Sequence, residues 1–195
     1  HGSSRYFGDR RYKMNWKNCT GCDLCKTRTQ VVWGKGKNTG VLLLGEAPGS
    51  DEDIIGEPFV GRCGELLTKM LKQCGVSRED VYITNVVKCR PVTGKKNRPP
   101  KKEEIDACKG WLWSELKQLK PKVIITFGKV PTGLLLKLKK TFKLGDHIGK
   151  AHELDYLDAV VVPCYHPSYL MQTGRDKMDI SLKSIKTAMG LNDVQ

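Results

Sequence analysis

The 195-residue chain has no apolar run approaching the roughly 20 residues that a membrane-crossing helix needs. No charged segment leads into a signal-peptide core, so the expectation is a cytoplasmic, nucleoid-associated protein with no membrane partner. Internal repeats and an interdomain linker are also missing, which favours one compact domain with its chemistry in one cleft. Acidic residues are scarce. Against 34 Lys and Arg stand 21 Asp and Glu, a formal charge of +13, and such a surface favours a polyanionic partner, nucleic acid first.

What is present is ordinary for a protein able to bury a core: 39% hydrophobic and 28% charged residues, which argues against disorder. His1-Gly2-Ser3 reads as an expression remnant, and residues 1–13 are set aside as that remnant or a flexible basic N-terminus. Met14 is a candidate native start, and residues 14–195 are read as the domain, expected to be a monomer. Eight cysteines without an export signal argue against a disulfide framework and turn attention to metal ligation.

Four apolar, β-branched runs alternate with helical patterns: Val41 to Leu44, Val81 to Val87, Val123 to Phe127 and Val160 to Val162. This predicts a three-layer α/β domain around a central four-stranded parallel sheet. Leu66, Leu67, Met70, Leu71 and Cys74 mark one helix, ended by Gly75, and Ile105, Cys108, Leu112 and Leu116 mark another after Pro99-Pro100. Segments 130–138 and 179–189 also read as helices. In such sheets the cleft lies beyond the carboxyl ends of the strands. There the sequence places Gly45-Glu46-Ala47-Pro48-Gly49, Asn85 and His166-Pro167-Ser168.

Cys19-Thr20-Gly21-Cys22 is a CxxC pair, and Cys89 and Cys108 complete a C-x2-C-x66-C-x18-C pattern. Four thiolates suit a structural zinc or a four-iron cluster, and ligand softness does not separate the two.

Together these blocks resemble the family 4 uracil-DNA glycosylases. The resemblance runs from about Cys19 to Leu170. It rests on Cys19-x-x-Cys22, Arg28-Thr29, Gly45 to Gly49 with Glu52-Asp53, Gly56 to Arg62, Tyr82 to Pro91, and His166 to Leu170. It implies a [4Fe–4S] cluster on Cys19, Cys22, Cys89 and Cys108, leaving Cys25, Cys63, Cys74 and Cys164 as buried small hydrophobes. It also implies removal of uracil from single- or double-stranded DNA by hydrolysis of the N-glycosidic bond, leaving an abasic site for base excision repair alongside other repair or replication proteins.

The resemblance assigns roles within that reaction. Bond cleavage leaves negative charge on uracil and positive charge on the sugar, and a pocket must stabilise both. His166 is the donor to uracil O2, Asn85 pairs with the base edge, Phe59 stacks on the extruded base, and Ala47 lines the same loop. Glu46 is the carboxylate placed near the sugar, with Glu52 or Asp53 as alternatives and amide capping as the bland role for an acid in this loop.

Lys88 to Lys102 holds seven basic residues, of which Lys95, Lys96 and Arg98 are the expected phosphate contacts. The loop from His166 to Arg175 is the second DNA-facing segment, with Ser168 and Arg175 as contacts and Leu170 or Met171 as the wedge into the base gap. Two departures stand out: Met171-Gln172 follows Leu170 where many relatives have Leu-Arg, and Cys63 replaces a small alanine. The rival readings are a non-catalytic iron–sulfur DNA-binding protein, a relative that links covalently to DNA through a loop histidine, and a zinc-stapled α/β enzyme acting on a small nucleotide. Val92 to Lys102 contains no histidine, which disfavours covalent linkage there.

Overall fold

A computed structural model describes residues 16–193. The reading of residues 1–13, and of Met14 as a start, lies outside the described residues. In chain order the elements are β1 (Lys35–Gly36), β2 (Val41–Gly45), α1 (Ser50–Ile55), α2 (Arg62–Gln73), β3 (Tyr82–Asn85), β4 (Val92–Thr93), β5 (Lys96–Asn97) and α3 (Lys102–Leu119). There follow β6 (Val123–Phe127), α4 (Lys129–Leu135), β7 (His152–Leu154), β8 (Ala159–Cys164), α5 (Pro167–Leu170) and α6 (Arg175–Asp193).

The main sheet has the order β1-β3-β2-β6-β8-β7. Its four central strands are parallel, as the β-branched runs predict, with Leu43 paired to Ile83 on one side and to Ile125 on the other. The sheet is wider than the expected four strands. Short antiparallel edges, β1 on β3 and β7 on β8, extend it to six. Neither edge carries an apolar alternation of its own; each exists because a neighbouring strand offers a hydrogen-bonding ladder. A separate hairpin, β4 with β5, folds the basic 92–97 segment.

Successive side chains on a strand face opposite ways, so each central strand feeds two cores. Leu42, Leu44, Ile124 and Val161 pack with Cys108, Leu112 and Leu116 of α3 and Leu135 of α4. Val41, Leu43, Ile83, Ile125 and Val162 pack with Leu67, Met70 and Leu71 of α2 and Ile185 and Ala188 of α6. The result is the expected three layers. Because β3 and β6 flank β2 on opposite sides, the chain reverses its winding there, which opens a crevice at the carboxyl ends of the strands.

No helix among the described residues is long and apolar enough to cross a membrane.

Candidate active site and thiol cavity

A cleft of about 630 Å³ opens at that crevice, within the usual range for a small-ligand site. It brings together Glu46 and Ala47 after β2, Asn85 at the end of β3, Gly128 after β6, and His166 and Ser168 after β8. Phe59 joins them from the loop before α2. Every residue expected to bind uracil therefore lines one cavity.

Asn85 is 2% exposed, and its Oδ1 has no hydrogen-bond partner in the protein. An unpaired buried carbonyl costs about 1–3 kcal/mol, so this atom is positioned for a ligand donor. Gly45 makes room for it: a Cβ there would stand 2.3 Å from Asn85 Oδ1 and 2.6 Å from the Phe59 ring.

Phe59 has φ of 53°, a left-handed conformation that costs a bulky residue about 1–3 kcal/mol. Gly64 on α2 allows it, because a Cβ at that position would lie 1.8 Å from the Phe59 carbonyl oxygen. The ring is held against Phe127 and His166, with centroids 6.0 and 5.9 Å away.

His166 precedes α5. Its Nδ1 accepts the Ser168 backbone N–H at 3.1 Å and lies 2.7 Å from the Ser168 hydroxyl. An accepting Nδ1 leaves the ring proton on Nε2. Burial lowers the His166 pKa to about 4, partly offset by Glu52, so the ring is neutral at physiological pH. The site thus contains a neutral imidazole whose Nε2–H is a donor.

Burial raises the Glu46 pKa above the ordinary carboxylate value. Amide capping falls instead to its neighbours. Glu52 accepts from Gly49, Val60 and Gly61 N–H at 3.0–3.1 Å, and Asp53 accepts from Thr29 N–H through both oxygens at 2.9 and 3.0 Å. With those acids committed to the backbone, Glu46 is the cleft acid whose environment suits proton or charge chemistry.

The expected DNA contacts divide. Lys95, Lys96, Met171 and Arg175 are exposed. Arg98 lines the cleft, but its guanidinium is occupied by Glu104, at 2.6 and 2.8 Å, and by the Val92 and Pro99 carbonyls. This corrects its reading as a free phosphate contact: Arg98 braces the hairpin against α3. Leu170 is 4% exposed and packs in the core, so Met171, 45% exposed, is the apolar tip of that loop.

Residues to which the sequence reading gave no role complete the cleft. Lys129, Leu144, Tyr165, Tyr169, Cys63 and Asn97 also line it.

Away from the cleft, Cys19, Cys22, Cys89 and Cys108 line a single small cavity walled by Trp16, Trp33 and Trp111. All four carry free thiols, and Cys25 faces a different groove. The Arg28 guanidinium donates to Cys89 Sγ at 3.4 Å, and the Lys88 backbone N–H donates to Cys108 Sγ at 3.3 Å. Burial raises the Cys89 thiol to about 11, partly offset by Arg28. Among the described residues no three Cys, His, Asp or Glu side chains converge on a single ion. Four thiols around a shared space, with N–H donors to sulfur, form a donor set suited to a thiolate-bound metal group.

An aromatic ring, a carboxamide and a neutral imidazole thus meet in one cleft of a doubly wound α/β domain. The chain belongs to the uracil DNA glycosylase superfamily, whose family model matches residues 33–186. Within it, the chain is similar to proteins named type-4 uracil-DNA glycosylase. The one from Pyrobaculum aerophilum is 44% identical over 161 residues, covering 80% of this chain and 81% of that protein. The one from Thermotoga maritima is 40% identical over 175 residues, 88% of each. A type-5 uracil-DNA glycosylase of P. aerophilum is 32% identical over 163 residues, 73% of this chain and 67% of that protein.

Proposed function

We propose that the chain is a uracil-DNA glycosylase of the type-4 group, hydrolysing the bond between uracil and deoxyribose as a step of DNA repair. Type-4 relatives at 38–44% identity over most of the chain support the assignment. The observation that carries the chemistry is the pairing, in one cleft, of the orphaned Asn85 Oδ1 with a neutral His166.

Uracil presents an N3–H donor between two carbonyl acceptors, whereas cytosine has no hydrogen on N3. Asn85 Oδ1 accepts the N3–H and its amide N–H2 donates to the adjacent carbonyl, which selects uracil over cytosine. Phe59 stacks on the extruded base. As the glycosidic bond breaks, its electron pair moves into the uracil ring, and His166 Nε2–H donates to the charge developing on O2. Being neutral, His166 binds this anion without first losing a proton to it. Glu46, ionised, sits toward the sugar, stabilises the cationic centre and orients the attacking water. Water adds to the sugar carbon, and its proton passes to Glu46 or solvent.

The four thiols of Cys19, Cys22, Cys89 and Cys108 would hold a [4Fe–4S] cluster, which ties the N-terminal segment to the Cys89 loop and α3. Lys95, Lys96 and Arg175 meet phosphates, and Met171 fills the gap left by the base. The protein acts as a monomer in the cytoplasm beside the nucleoid, handing abasic sites to other repair proteins.

The test is incubation with single-stranded and duplex DNA carrying one uracil, then alkali and a denaturing gel. Cleavage at uracil is expected. An intact strand would favour the binding-only reading, and a heat-stable shifted band would favour covalent capture.

A further inference from the structure

Lys88 is 1% exposed and forms an ion pair with Glu115, itself 3% exposed. An ammonium has three donors, and here all three are used. Nζ donates to Thr84 Oγ1 at 2.6 Å, to the Asn85 carbonyl oxygen at 2.7 Å, and to Glu115 Oε2. The Trp33 ring closes the remaining side, its centroid 5.2 Å from Nζ. Glu115 is anchored in turn by Thr84 Oγ1 at 3.0–3.1 Å, Tyr82 Oη at 3.0 Å and Gly34 N–H at 3.2 Å.

A buried ion pair is weak evidence for stability, since apolar residues of similar volume often serve as well or better. Its contacts suggest another use. Asn85 Oδ1 has no protein partner, so that oxygen is not held by a hydrogen bond. What is held is the backbone from which the side chain rises. Lys88 Nζ fixes the Asn85 carbonyl, while Val86 and Val87 N–H donate to the Gly45 and Glu46 carbonyls at 3.0 Å. The main chain of Lys88 is held on the other side, its N–H on Cys108 Sγ at 3.3 Å and its carbonyl accepting from Val32 N–H at 2.7 Å.

We propose that Lys88 is a positioning residue for uracil excision: its Nζ contact with the Asn85 carbonyl aims the Asn85 carboxamide, and its main chain joins that aim to the thiol cavity. The proposal rests on the uracil-DNA glycosylase reading. It gives the buried charge a task at the base edge, although Lys88 itself does not line the cleft.

The experiment is a double-mutant cycle on uracil-containing single-stranded DNA, read as the single-turnover excision rate at saturating protein, with melting temperature and affinity for abasic-site DNA measured in parallel. Lys88→Met is paired with Glu115→Gln so that no buried charge is stranded. This pair is expected to slow excision at least tenfold, with melting temperature and abasic-site affinity close to the parent's. In an Asn85→Ala background the same pair should cost less than twofold, because the group it aims is gone. An unchanged rate in the paired variant, or an equal loss with and without Asn85, overturns the proposal. If the paired variant does not fold, Lys88→Leu with Glu115→Gln, which likewise removes the donor to the Asn85 carbonyl, is read in the same cycle by the same criteria. The parent's own turnover separates the two ideas: a parent that excises uracil while the cycle shows no coupling sinks only the Lys88 assignment.

Discussion

Ser168 grips His166 through two atoms on one side of the ring, its backbone N–H at 3.1 Å and its hydroxyl at 2.7 Å from Nδ1. Only Pro167 separates them, and its fixed φ suits the first turn of α5. The ring is therefore oriented by its immediate neighbour, and Nε2 is left for the substrate.

His166→Ala should slow the chemical step about 10²-fold or more, the cost of losing a donor to developing negative charge. DNA affinity should change little. Ser168→Ala retains the backbone N–H and should lose far less. Single-turnover rates at saturating protein check both; a parental rate for His166→Ala would remove the residue from the mechanism.

The acid limb of the rate profile should belong to Glu46. The His166 pKa of about 4 keeps the imidazole neutral down to that pH, so no inflection is expected near the ordinary histidine value. Burial raises the Glu46 pKa, so its active, ionised form should disappear at a pH above the usual carboxylate range. A pH series of single-turnover rates, with Glu46→Gln as the comparison, shows whether the limb vanishes with the acid.

Glu46→Gln should also stabilise the fold at neutral pH. The folded protein holds the Glu46 proton to higher pH than the unfolded chain does, so stability falls as pH rises through that interval. The cost of the ionised buried acid is fully present above that interval, and the amide does not bear it. Melting curves should place the variant above the parent at pH 7 and bring the two together below the unfolded pKa. A variant that melts lower at pH 7 would contradict this.

Charge reversal at Lys95 and Lys96 should weaken DNA binding and flatten its salt dependence, whatever the sequence around uracil. Arg98→Ala should act differently, lowering the melting temperature by releasing buried Glu104. Titrations at several salt concentrations, beside melting curves, distinguish the two effects.

Protein purified without oxygen should contain iron and acid-labile sulfide, and Cys89→Ser should lose them together with the broad visible absorbance. Cys25→Ser should keep both, since Cys25 does not line the shared cavity. Stoichiometric zinc without iron would replace the cluster by a zinc site.

The parts legible in the sequence were those with their own pattern. Val123 to Phe127 declares a buried strand by composition alone, while Lys35-Gly36 is a strand only because β3 lies beside it. In the cleft, Asn85, Phe59 and His166 were carried by motif blocks. Lys129 and Leu144 arrive on a segment without one, and only the tertiary fold brings them to the same opening. Arg98 and Leu170 show the limits of reading type without phase. A basic residue in a basic run gives no sign that Glu104 will engage it, and in a four-residue helix one position decides whether Leu170 or Met171 meets solvent.

The strand order also bears on how the molecule is made. Val41 must wait for Val123 to be synthesised before its second ladder can form, and β8, which delivers His166, is added after that. A partly translated chain can present the Glu46 loop and Asn85 well before the histidine exists. Such nonlocal pairing slows folding and leaves the apolar edge of β2 open while the ribosome finishes. Uracil excision thus requires the last central strand to have docked.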